Sequence, residues 1–176
     1  HRAMFDRIWH DAENLLADCG AMREIMGDIK NGLYPSPRSN EEYGTTEAAL
    51  IQENGDPCCD LLYTVNFAFV GLHEASFAFD NPAYRRAADK MAAFLVRVQA
   101  ASTQPPYLDG AWLRGFDWEL WDYWGSSADC GWGAWSVETG WTNSWIASTF
   151  ALRKLGKGLF DLVTPLRYRD ILPELL

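Results

Sequence analysis

Between Asp11 and Ile29, apolar side chains recur at Leu15, Cys19, Met22, Met26 and Ile29, in steps of three and four. That spacing predicts an amphipathic helix with Asp11 as its N-cap. Residues 30–45 (KNGLYPSPRSNEEYGT) break the pattern with glycine, two prolines and polar side chains, and read as a loop. A short helix is expected over Thr46–Glu53. Asp56-Pro57 then opens a helical run to about Phe79, with Asp suited to the cap and Pro to the first turn, where its missing N–H goes unneeded. The run LLYTVNFAFVGLHEASFAF is apolar nearly all round, which predicts an inner helix covered on most sides.

Asn81-Pro82 repeats the start signal. Tyr84, Ala87, Ala88, Met91, Leu95 and Val98 line one face up to about Ala101, while Arg85, Arg86, Asp89, Lys90 and Arg97 cover the other. This helix is expected to be half-exposed. With only Asp80 and Asn81 between the two, they must fold back as an antiparallel αα-hairpin. Thr142 can cap another helix to about Leu155, and Thr164-Pro165 can start a last short one. Strand signals are scarce and no linker divides the chain. The expectation is a single all-α domain over residues 1–176.

Composition narrows the function. The 176 residues are 48% apolar and carry a net charge of −9, which argues against nucleic acid and an anionic membrane surface as partners. No apolar run is long enough to span a membrane, and HRAMFDRIWHDAE has no signal-peptide core. The four cysteines, Cys19, Cys58, Cys59 and Cys130, form no CxxC pair, so neither a disulfide scaffold nor a zinc site is expected. Of the histidines His1, His10 and His73, the last lies on an apolar helix and reads as a packing residue. A G-x-S-x-G elbow is absent, and Gly156-Lys157-Gly158 lacks the rest of a phosphate loop. No cofactor or metal is expected.

Aromatic content is the unusual figure, with nine tryptophans, eight of them within residues 107–150. Six glycines and six acids interleave with them, against one base, Arg114. Residues 107–140 are too long for a plain connection, and long ordered loops in compact domains are usually functional. FDWELWDYW fits neither the helix nor the strand period, so irregular structure is expected, with room for a short hairpin or one helical turn. Aromatic faces beside carboxylates suit neutral sugars: the C–H face of a pyranose packs on a flat ring and its hydroxyls bond to acceptors. Cleaving a glycosidic bond further needs two carboxyls, roughly 5–10 Å apart. The candidates are Asp117 and Glu119, which share a face if the backbone is extended, with Asp129 and Glu138 from farther along. Glu119 with Asp122 on a helical turn is an alternative. Trp112, Trp118, Trp121, Trp124, Trp132, Trp135, Trp141 and Arg114 are the candidate substrate contacts, though Arg114 also suits pairing with Asp117 or a neighbour. The ordinary alternative is that most of these rings form core, and two or three exposed ones suffice for a sugar site.

DPCCDLLYTVNFAFVGLHEA and LDGAWLRGFDWELWDYWGSSADCGWGAWSVETGWTNSWIASTFAL resemble the C-terminal part of six-hairpin glycosidase-like proteins, the (α/α)6 toroids of polysaccharide-degrading bacteria. The resemblance covers roughly residues 44–155. It implies a carbohydrate-active protein with its site at one end of a toroid, and a periplasmic or extracellular setting. Two to three hairpins amount to about half a ring, so the expected partners are a carbohydrate and the missing half of the toroid or a second chain. The leading expectation is glycoside hydrolysis by carboxylate acid/base chemistry. A non-catalytic glycan-binding or structural module is the alternative. A polysaccharide lyase ranks lower, because the rich segment offers only Tyr107 and Tyr123 and no histidine. ADCGWGAW is similar to the D-G-G-W-G of terpene-cyclase toroids, whose repeated Q-x-x-x-G-x-W elements are missing here.

Overall fold

The computed structural model describes residues 2–23, 58–123 and 141–162. The expected loop at 30–45, the helix at 46–53 and the helix begun by Thr164-Pro165 lie outside them. The described part is mostly helical with a small three-stranded antiparallel sheet, so the all-α expectation is corrected to that extent.

The centre is the predicted hairpin. Helix α2 spans Asn66–Ala78 and α3 spans Pro82–Arg97, joined by three residues. The Asn81 side chain accepts from the Ala83 N–H at 3.0 Å, with Pro82 in the first turn. Tyr84, Ala87, Ala88, Met91, Leu95 and Val98 are all buried, as the spacing predicts, and Phe94 joins them. Each large side chain of this kind is worth about 1.5–3 kcal/mol when withdrawn from water.

Upstream of α2 the structure departs from expectation. The helix does not start at Pro57. Cys58–Asp60 form strand β1, and Leu61–Val65 make a π-helical turn that leads into α2. Asp60 supplies the cap, its Oδ1 accepting from the N–H groups of Leu62 (2.6 Å) and Tyr63 (3.0 Å). Nor is α2 enclosed on most sides: Tyr63 and Phe67 are exposed while Phe69, Leu72 and His73 are buried, and Phe77, in ring contact with His73, is partly open to solvent.

The helix expected over 11–29 is also displaced. The N-terminal helix α1 runs Arg2–Ala12, followed by a 3-10 turn at Glu13–Leu15, and Leu16 then pairs with Met22 across a tight reversal. Gly20 explains the break. Its φ is +102°, and a Cβ there would lie 2.4 Å from the Lys90 carbonyl oxygen. The chain therefore presses on α3 where only glycine fits. Ala17, Ala21 and Met22 are buried by this contact rather than by a helical face. Helix α1 docks through Phe5 and Trp9, both packed at 5.8 Å edge-on against Tyr84, whose hydroxyl donates to Asp6 at 2.5 Å.

Two further strands, β2 (Gly115–Asp117) and β3 (Asp122–Tyr123), pair in the order β1-β2-β3. The last described helix, α4, spans Trp141–Leu155 and ends at the predicted residue. It runs parallel to α2. Phe150 packs on Phe69 at 5.2 Å, and the Lys157 carbonyl accepts from His73 Nε2 at 2.8 Å. Beyond it, the Leu159 N–H donates to Glu74 at 2.7 Å. An Arg153–Asp89 ion pair ties α4 to α3.

Candidate functional site

The sheet sits where α2 and α4 begin. Strand β1 feeds directly into the turn before α2, and the Leu61 N–H extends its pairing by donating to the Arg114 carbonyl at 2.6 Å. At the start of α4, the Asn143 amide clasps the backbone of Trp112: the Trp112 N–H donates to Oδ1 (2.9 Å) and Nδ2 donates to the Trp112 carbonyl (3.0 Å). The N–H ends of two parallel helices thus flank the strands, a setting that favours negative charge.

Register sorts the side chains into two faces. Cys59 opposes Phe116, and Phe116 opposes Tyr123. This face meets the core, with Phe116 edge-on to Phe94, Trp121 and Tyr123. On the other face Asp60 opposes Gly115, and Asp117 opposes Asp122. Asp60 and Asp117 are both buried, while Asp122 is exposed. The two buried carboxylates are diagonal neighbours, a relation that places backbones roughly 7–8 Å apart in an antiparallel pair. The mostly buried Arg114 guanidinium lies 4.0 Å from Asp60.

Backbone donors orient both carboxylates. Asp60 caps the turn into α2. Asp117 Oδ1 accepts from the N–H groups of Glu119 and Leu120, each at 2.9 Å, shaping the four-residue connection between β2 and β3. Trp121 closes that turn at φ +56°, a left-handed conformation that costs a non-glycine residue about 1–2 kcal/mol. Its ring offsets this by packing edge-on to Phe94 and Phe116, with the Arg97 guanidinium 4.7 Å from its centre. The Tyr123 hydroxyl donates to the Val98 carbonyl, and burial, then the nearby Asp122, pushes its phenol up to about 12.

The sequence candidates fall into distinct environments. Trp112 is 7% exposed, stacks on Phe150 and donates from Nε1 to the Leu95 carbonyl at 2.7 Å, so its ring is core rather than a platform. Trp118 is half-buried against the core, and Trp121 is 42% exposed. Asp117 and Glu119 do not share an extended face, because residue 118 onward turns; Asp117 is buried and Glu119 exposed. Asp122 is on a strand, which removes the helical-turn pairing with Glu119. Trp141 is the first residue of α4. Asp129, Glu138, Trp124, Trp132 and Trp135 lie outside the described residues.

Sequence reasoning missed two features. Asp60 was concealed by the stronger Asp56-Pro57 start signal, although an acid just before an apolar run is itself a capping signature. The exposed pair Tyr63 and Phe67, stacked 23° apart in plane with centroids 6.5 Å apart, read as helix core. Cys19 is a half-buried free thiol, and Cys59 is buried in the core. Among the described residues no three His, Cys, Asp or Glu side chains could hold a metal, and no helix is long and apolar enough to cross a membrane. Compared with family models, curated proteins and solved structures, the chain finds no match in any of the three.

Proposed function

We propose that the chain is a carbohydrate-active module of glycoside hydrolase type, with its helices forming part of an (α/α) toroid. The observation that carries this reading is the pairing of Asp60 and Asp117 on one sheet face, at the end where two parallel helices begin. Glycoside hydrolysis asks for two carboxyls at roughly 5–10 Å, one to protonate the leaving oxygen and one to act as nucleophile or activate water. Here each is held by its own pair of backbone N–H groups, so its position is set by the chain rather than by a free rotamer. The succession of a helix, an antiparallel partner and a second helix parallel to the first supports the toroid.

Turnover of a panel of oligosaccharides by the full chain tests the reading. Hydrolysis of one glycan class is expected, with Asp117→Asn lowering kcat/KM by about 10²–10⁴-fold while the far-ultraviolet spectrum is retained. A folded chain that hydrolyses none of the panel overturns the hydrolase. The exposed stacked pair Tyr63–Phe67 favours a second reading, a non-catalytic glycan-binding module. In that case glycans quench tryptophan fluorescence saturably without being cleaved, and Tyr63→Ala abolishes the response.

A further inference from the structure

A concave site lies away from the sheet, between α1 and α3. It is an open groove of about 200 Å3, close to the size of one six-membered ring with its substituents. Ala83 and Ala87, one helical turn apart, line the groove with small side chains, together with Leu16. One wall is the half-buried Trp9 indole, fixed by its edge-on contact with Tyr84. Arg86 and Lys90, also one turn apart on α3, line the groove as well. Like charges so placed repel each other along a helix. Glu13, from the 3-10 turn after α1, completes the rim.

Among the described residues little neutralises that pair. Lys90 has only Asp18 at 3.7 Å, a fully exposed carboxylate, and Arg86 has no hydrogen bond or ion pair among the described residues. In a chain of net charge −9, this groove keeps two cations beside one acid. With Asp18 beside Lys90 and Glu13 in the groove the charges balance, so the anion is invited by Arg86, which has no partner among the described residues and whose fork suits a planar carboxylate. The indole and the two alanines call for a flat or slab-like ring, and the Glu13 carboxylate accepts from hydroxyls.

We propose that the α1–α3 groove binds a hydroxylated six-membered ring bearing one carboxylate, with the anion on Arg86 and Lys90, the ring on Trp9 and a hydroxyl on Glu13. Two sources supply that chemistry, a hexuronate and a hydroxybenzoate. The site shares no residue with the carboxylate face of the sheet, so it stands or falls independently of the hydrolase reading.

Calorimetric titration of the full chain with sodium glucuronate, sodium 4-hydroxybenzoate and glucose, at low salt, tests this. One of the carboxylates is expected to bind saturably and glucose not, with affinity falling as salt rises. Whichever binds identifies the source. Arg86→Gln and Lys90→Gln should each weaken binding about tenfold, since a charge-assisted hydrogen bond is lost. Asp117→Asn should leave it unchanged. Arg86 is exposed, so its replacement leaves the thermal midpoint in place and a folding defect cannot mimic the result. Absence of binding by both carboxylates, equal binding of glucose, or an Arg86→Gln chain that binds like the parent overturns the proposal.

Discussion

The α2–α3 hairpin and the β1–β2–β3 sheet meet at Phe94 and are built on opposite principles. The hairpin is held by apolar burial: Phe69, Leu72, Tyr84, Met91, Phe94 and Leu95 are withdrawn from solvent, and capping by Asn81 is a small addition. In the sheet, strands of two or three residues bury little, and shape comes from carboxylates that accept backbone N–H groups and from a tryptophan in the left-handed region. The contrast separates stability from chemistry. The hairpin has free energy to spare, whereas the sheet uses the acids that a reaction would need to hold its own turns. The carboxylates stabilise the turns they cap, and the strained element of the sheet is Trp121, whose ring packing on Phe94 and Phe116 offsets its backbone cost.

The largest expected effect tests whether the sheet depends on the hairpin. Phe94→Ala should cost about 3–5 kcal/mol in denaturant titration, because it opens a cavity under both Phe116 and Trp121. Equal loss of amide-exchange protection in α3 and in the sheet would make them one unit; loss in α3 alone would break the comparison. Gly20→Ala should cost about 2–4 kcal/mol, from the positive φ and the collision with the Lys90 carbonyl. An unchanged midpoint there would mean that the reversal at residues 17–21 does not press on α3. Asp117→Ala should lose about 1–2 kcal/mol, with new exchange confined to residues 116–123. Asn81→Ala should cost about 1 kcal/mol, spread over the whole hairpin.

The last effect is a pH dependence localised to the sheet. Tyr123 is raised from 10.0 to about 12, so the fold favours the protonated phenol. Its contribution is whole below pH 10 and is lost as the pH climbs through 12. Tyr123→Phe should flatten the alkaline limb of a stability profile between those values. A parent profile already flat there would show that the phenol is not held by burial and Asp122.

The hairpin was legible in the sequence because its information is local. Asn81-Pro82, the stripe from Tyr84 to Val98, and the end of α4 at Leu155 all follow from neighbours three or four residues apart. The sheet was not, since Cys58–Asp60 and Gly115–Tyr123 acquire their strand character only from each other, across a long separation in sequence. Asp117 was singled out for the company it keeps with tryptophans, yet its relation to Asp60 required the register. Gly20 shows the opposite failure, in which a convincing helical stripe is overruled by one contact with α3. Exposure of individual rings was beyond the sequence altogether: Trp112 and Trp121 look alike in composition and differ because only Trp112 finds a carbonyl and a stacking partner in the core.

The Asn143 clasp on Trp112 carries a consequence for how such a chain can change. One side-chain amide substitutes for a strand partner and fastens the beginning of α4 to the residue three positions before β2. The ends of the intervening stretch are therefore brought together by bonds that do not depend on how many residues lie between them. The placement of α4 against the residues that lead into β2 is thus set by Asn143 itself and not by the length of chain that separates them.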